Sequence, residues 1–371
     1  MSQGDVNEAE HEARGGRICN TLLLVLAALP ALAAWQALQD PGCFGLHLAP
    51  DSLPVSALPL VTLPLGATTF CQLGIRQPFV FVNIVMFAQM LLFWLISIAQ
   101  RSTWLIDPYW TIIPPLIAIF YRTHPLASFD RVRSAISLAL LAAWSVRLTH
   151  SYFRREAKQQ GFAVGKREDW RFADMRRKDP RNFWWTSLFL AYLSQQVMLV
   201  GLCLPYLAIH FGGSSKAIPW GAADVTAAAA CIVGLALAHF SDTQLHRFVS
   251  ENARLAAIGQ PKVKVLDTGL WRFSRHPNHF GEQAFWWGTA IFGWSSASGS
   301  CGGGVWWPFA GTLFNSCVMA HVTRLVEQRM LADSSRAKQF REYCQRTSIW
   351  VPWPPRRSSW RDDLQKGKKA S

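Results

Sequence analysis

The stretch Phe79-Val-Phe-Val-Asn-Ile-Val-Met-Phe-Ala-Gln-Met-Leu-Leu-Phe-Trp-Leu-Ile-Ser-Ile98 contains no Asp, Glu, Lys or Arg, and the next charge is Arg101. A helix of this length rises about 30 Å, which matches the hydrocarbon thickness of a bilayer. Seven further apolar segments have related character, at 18–38, 104–121, 134–148, 183–211, 222–240, 280–294 and 304–322. Pro114-Pro115 interrupts 104–121, and Pro205 lies inside 183–211. Membrane helices tolerate proline when neighbours satisfy the freed carbonyl. The expected fold is an all-α, polytopic transmembrane helical bundle of about 7–8 spans, or six if the short segments do not cross. The first segment follows Asp5, Glu8, Glu10 and Glu12, a poor positively charged leader, so a retained span is expected rather than a cleaved signal peptide.

Composition agrees. The 371 residues are 50% hydrophobic and only 16% charged, against about a quarter charged in soluble domains. The net charge is +14. Nucleic acid is not the expected partner, because the cations sit beside spans, where Lys and Arg set topology. The 18 Trp suit interfacial belts or packing within a bundle. The eight Cys form no CxxC pair and are expected to be small buried hydrophobes rather than a disulfide framework.

The cations are unevenly distributed. Residues 151–182 carry ten Lys or Arg and 242–279 carry six, and the segment after Val322 adds many more. Residues 212–221 have only Lys216, and 295–303 have none. The positive-inside rule places the rich segments and the C-terminus in the cytosol. Residues 122–133, with Arg122, Arg131 and Arg133, fit this alternation poorly. Two readings of the basic face stay open: counter-charges for a phosphate-rich cofactor, or topology and lipid headgroups alone.

The polar segment Gly269-Leu-Trp-Arg-Phe-Ser-Arg-His-Pro-Asn-His-Phe-Gly-Glu282 leads directly into an apolar span. Pro277 suits the first turn of a helix. Asn278 and Glu282 are then at i and i+4 on one face, with Glu282 one turn inside a membrane helix, where an ionisable group usually faces a cavity. Arg272 and Arg275 offer forked donors for phosphate or carboxylate. Asn278 offers a donor and an acceptor. The set suits a nucleotide-type cofactor. A structural anchor of snorkelling Arg and His is the plainer alternative. His276 and His279 lack a third metal ligand, and no metal site is expected.

This segment, followed by Trp286-Trp287-Gly288, resembles the signature of the steroid 5-alpha-reductase-like (DUF1295) family. Further landmarks follow in order: Asp107-Pro-Tyr-Trp110, Trp144 with Arg147-Leu148, Glu168-Asp-Trp-Arg171, Ser194-Gln195-Gln196, Ser241-Asp242 through Phe248, and Glu327 through Tyr343 to Thr347-Ser348 and Pro352. The similarity divides the chain into a polar N-terminal tail (1–17), an N-terminal transmembrane region (18–103), a steroid-reductase-like membrane domain (104–355) and a basic C-terminal tail (356–371).

The resemblance implies an NADPH-dependent membrane oxidoreductase that reduces a carbon–carbon double bond in a steroid- or lipid-like substrate taken from the bilayer. It implies that Asn278 and Glu282 hold the nicotinamide end, that Asp242 and Arg275 also contact the cofactor, and that Tyr343 and Arg346 approach it, with Arg272 on the phosphate side. The proton donor is expected in the N-terminal half, among Asp107, Tyr109 and His150. Relatives usually carry Tyr where this chain has His279, which replaces a phenol by an imidazole titrating near 6.5. An S-adenosylmethionine-dependent membrane methyltransferase of the isoprenylcysteine or phospholipid type shares an Arg-His-Pro stretch and is the alternative enzyme. A non-catalytic scaffold is the alternative outside enzymes. The ending Lys366-Gly-Lys-Lys-Ala-Ser371 is similar to an endoplasmic-reticulum retrieval signal.

Overall fold

The computed structural model describes residues 20–38, 67–160, 165, 168–212, 220–298 and 305–356. Among them every regular element is helical. The one extended pairing is an isolated parallel bridge between Ser274 and Ser348. Five helices are long and apolar enough to cross a membrane: Asn20–Leu38, Pro78–Gln100, Arg131–Arg155, Phe183–Phe211 and Ala222–Ala257. The protein is an all-α membrane bundle.

Five described spans fall short of the expected 7–8, for identifiable reasons. The segment 104–121 breaks into two short helices, because the proline pair starts a new first turn where its missing N–H groups cost nothing. The segments 280–294 and 304–322 do form long helices, but polar and charged side chains at their ends dilute them.

The chain divides into two compact units. The first comprises Met1–Ile218 with Ser296–Val305. Its described helices are α1 (Asn20–Leu38), α2 (Ala67–Arg76), α3 (Pro78–Gln100), α4 (Ile106–Trp110), α5 (Ile113–Thr123), α6 (Arg131–Gln160), α7 (Trp170–Lys178) and α8 (Phe183–Phe211). Helix α3 starts with proline and stops at Arg101, whose φ of 54° lies in the left-handed region. Asp169 caps α7 by accepting from the Arg171 amide at 2.8 Å. Helix α8 is irregular, with a π-helical turn at Leu188–Leu193 and an interruption at Cys203 before Pro205. Fully buried Met90, Phe93, Trp104, Trp144, Tyr192 and Tyr206 form its core. Glu168 ties α7 to the end of α3: it accepts from the Thr103 amide at 3.0 Å and hydroxyl at 2.9 Å, and pairs with Arg176. Cys71 is disulfide-bonded, against the expectation of no disulfides.

The second unit comprises Pro219–Ser295 with Trp306–Ser371. It contains α9 (Ala222–Ala257), α10 (Pro277–Ser298), α11 (Ala310–Ala332) and α12 (Ala337–Arg346). At 36 residues, α9 is about 54 Å long, nearly twice what a bilayer needs. The expected span 222–240 is only its apolar half. Residues 242–257, read from sequence as a loop, continue the same helix. Helix α10 runs back along α9. Ser295 Oγ donates to Asp224 Oδ1 at 3.1 Å near one end, and Asn278 Nδ2 donates to Asp242 Oδ1 at 3.2 Å near the other. Between them the backbones nearly touch: a Cβ placed on Gly281 falls 2.6 Å from the Ala238 nitrogen, and one on Gly234 falls 2.6 Å from the Gly281 oxygen. Such approach is how small residues pack helices in lipid.

Candidate functional site

The polar segment before α10 is folded tightly. Gly269 adopts a φ of 62° and opens a 3₁₀ turn over Gly269–Arg272. Its register is set from α9, because Gln244 Oε1 accepts from the Leu270 amide at 2.9 Å and the Ser241 carbonyl accepts from Trp271 Nε1 at 3.1 Å. The chain after α12 runs beside it as a strap. The Arg275 amide donates to Ser348 O at 2.8 Å, the His276 amide to Ile349 O at 3.1 Å, and the Trp353 amide to Phe273 O at 2.9 Å. Pro277 then starts α10, as its sequence predicts.

Two polar faces leave the start of α10. The face toward α9 carries Asn278 and Glu282, one turn apart. Because Asp242 can only accept, Asn278 must present its NH₂ to it, which fixes the amide's orientation. Asn278 Oδ1 is left buried with no hydrogen-bond partner. A buried acceptor without a donor costs roughly 1–3 kcal/mol, so this atom is open to any hydrogen-bond donor that reaches it.

The face toward α11 is held by Glu327. Arg275 donates to both of its carboxylate oxygens, at 2.8 and 3.3 Å, and His276 Nε2 lies 3.1 Å from Oε1. The Arg275 and Glu327 side chains are only 12% and 16% exposed, so the pair is shielded from water. Burial works against the Glu327 charge, but the hydrogen bonds from His276 and Arg275 outweigh it and hold the carboxyl below its usual range. Arg275 also donates to Thr347 O at 2.7 Å and Cys344 O at 3.1 Å. Four of its five N–H groups are therefore committed to protein, and its first task is to join the start of α10 to α11 and the strap. One turn on, the His279 ring stacks on His276 with centroids 4.9 Å apart, and its Nδ1 lies 2.8 Å from Thr323 Oγ1.

The remaining expected residues divide. Arg272 is exposed. Tyr343 is buried, its hydroxyl donating to Trp271 O and, at 3.2 Å, to Ser274 O, and burial pushes its ionisation up. Arg346 pairs with Asp267. Both therefore brace the polar segment from α12. Sequence reasoning missed Glu327 as the partner of Arg275. The available signal was an acid one turn past an apolar segment, which needs a cation. It also missed Thr323 and Trp350, whose side chains carry no signal of their own. In the first unit, Tyr109 lines an apolar cavity of about 100 Å³ with Trp35, Met86, Gln89, Ile113 and Phe120, and its hydroxyl donates to Leu24 O.

A family model described as a protein of unknown function, DUF1295, matches residues 93–347, well over half of the chain. The chain belongs to the DUF1295 family. The matched region holds both α10 faces, Glu327 and Tyr343, and it ends at Thr347, where the strap begins. A similar chain is an uncharacterized protein of Schizosaccharomyces pombe, 26% identical over 232 residues. That similarity covers 58% of this chain and 65% of the relative, so it spans slightly less than two thirds of the relative's length. No solved structure matches.

Proposed function

We propose that this DUF1295 protein is an NADPH-dependent reductase of an activated carbon–carbon double bond in a lipophilic substrate. The observation that supports it is the buried, unpartnered Asn278 Oδ1, fixed in orientation by Asp242. A nicotinamide carboxamide offers the N–H that this atom lacks. Glu282, four residues further along α10, is half-buried and supplies a second carboxylate acceptor one turn away. NADPH would be held by Asn278 and Glu282 at its nicotinamide end, with exposed Arg272 on the phosphate side. Arg275 acts in this reading mainly through the scaffold it builds with Glu327. A bound nicotinamide supplies a hydride to one alkene carbon, and a proton must reach the other. Asp242 keeps the Asn278 oxygen aimed inward, and the close α9–α10 contact excludes water from the seam behind it.

The test is NADPH binding to purified protein, followed by fluorescence of the reduced nicotinamide. Asn278→Ala and Glu282→Ala should each weaken binding at least about tenfold, the loss of one hydrogen bond to a buried partner. Unchanged affinity in both variants would sink the assignment. Thermal stabilisation by S-adenosylmethionine rather than NADPH would favour the methyltransferase, and stabilisation by neither would favour a scaffold.

A further inference from the structure

We propose that the C-terminal strap, residues 347–353, is an interfacial anchor whose outward face lies in the headgroup layer of an anionic membrane. The strap bends after Ser348 and returns to Phe273 at Trp353, and its side chains divide between an inward and an outward side. Trp350 points inward, its Nε1 donating to Thr323 Oγ1 at 3.0 Å. Ile349, Val351 and Trp353 point outward and are 42%, 57% and 68% exposed, and Phe273 on the paired segment is 39% exposed. One exposed apolar residue needs no explanation, but four large ones on a single hydrogen-bonded platform form a patch that asks for an occupant.

Three observations select the membrane as that occupant. The first is depth. The platform is bonded to α9 at Ser241 and Asp242, through Trp271 and Asn278. That is where α9 passes from an apolar surface, with exposed Val225, Ile232, Val233 and Phe240, to its polar half. Aromatic belts sit at this level. The second is rigidity. The strap is pinned by the backbone bonds to Arg275, His276 and Phe273, so its apolar side chains cannot fold inward. The third is charge. Exposed Arg272 and Arg356 flank the patch, as cations flank an interfacial apolar face and attract anionic lipid. The proposal is independent of the reductase reading.

Photocrosslinking of the full chain tests it. p-Benzoylphenylalanine replaces Val351 or Trp353, with Ile349 as a further position should either variant fail to fold, and exposed Gln260 near the far end of α9 is the reference site. The protein is reconstituted into vesicles of phosphatidylcholine with or without phosphatidylserine, illuminated and analysed by mass spectrometry. Lipid adducts should form at 351 and 353 with yields several-fold above 260, and should rise when phosphatidylserine is present. Crosslinks to a second copy of the chain, or yields no greater than at 260, would overturn the anchor. Equal yields with and without phosphatidylserine would overturn its preference for anionic lipid.

Discussion

Glu327 shows how one side chain organises the site. It answers a buried guanidinium and a buried imidazole at once, and through Arg275 it also fixes the carbonyls of Cys344 and Thr347. Glu327→Gln keeps the volume and one acceptor but leaves the Arg275 charge without a counter-ion. The expected cost is about 2 kcal/mol, below the full value for a wholly buried pair because both groups retain some exposure. It is measured as a drop in thermal unfolding temperature of the detergent-solubilised protein. Acid should have a related effect. The folded carboxyl titrates below its ordinary value of about 4.3. The stability it contributes is therefore present above that value and lost as pH falls through the lowered folded one. The glutamine variant should lose this part of the acid response. The sequence displayed Arg275, His276 and Glu327 plainly. Their pairing was not legible, because the partners lie 52 and 51 residues apart and nothing local to either end specifies the other.

At the scale of elements, the antiparallel α9–α10 pair is the frame on which the site is mounted. Its spacing depends on Gly234 and Gly281, where an added Cβ meets backbone atoms that cannot rotate away. Gly281→Val should destabilise by about 2–3 kcal/mol, as overpacking does elsewhere, and should push Asn278 away from Asp242. Gly221→Ser, at a helix start where an added Cβ meets nothing within 4 Å, should leave unfolding unchanged. A normal unfolding temperature for Gly281→Val would show that the two helices have room to separate. Much at this scale was readable in advance. The helix start at Pro277 and the shared face of Asn278 and Glu282 followed from spacing alone. The extension of α9 through Ser241-Asp242 to Ala257 did not, because the run Asp242-Thr-Gln-Leu-His-Arg has a single apolar residue and looks like loop to a reading based on apolar content. The break in 104–121 was visible as Pro114-Pro115, but whether a proline pair kinks a span or divides it depends on packing.

For the molecule as a whole, sequence settled the class of fold, since twenty uncharged residues at 79–98 leave little else to build. It could not settle the number of crossings, which depends on whether helices such as α10 and α11, apolar in the middle and polar at one end, lie wholly in lipid. The charge asymmetry makes a statement at this scale. The segment between α9 and α10 and the C-terminus are expected to share the cytosolic side. In sealed microsomes, a tag after Ser371 and a protease site placed near Gln260 should both be cut by added protease without detergent. Protection of either one would reverse the orientation or separate the two segments.

The length of α9 ties the candidate site to its surroundings in a further way. Roughly 28 Å of it is apolar, from Ala222 to Phe240, which is about what the hydrocarbon of a bilayer accepts, and the remainder is polar. Ser241, which helps to hold the 3₁₀ turn, and Asp242, which bonds Asn278, directly follow that apolar stretch. In a thicker bilayer the helix has no apolar reserve at that end, so these residues are drawn toward hydrocarbon unless the lipids thin around them. Short-chain and long-chain lipids should therefore differ in how well they preserve the Asp242–Asn278 contact, read as a difference in thermal unfolding temperature between the two.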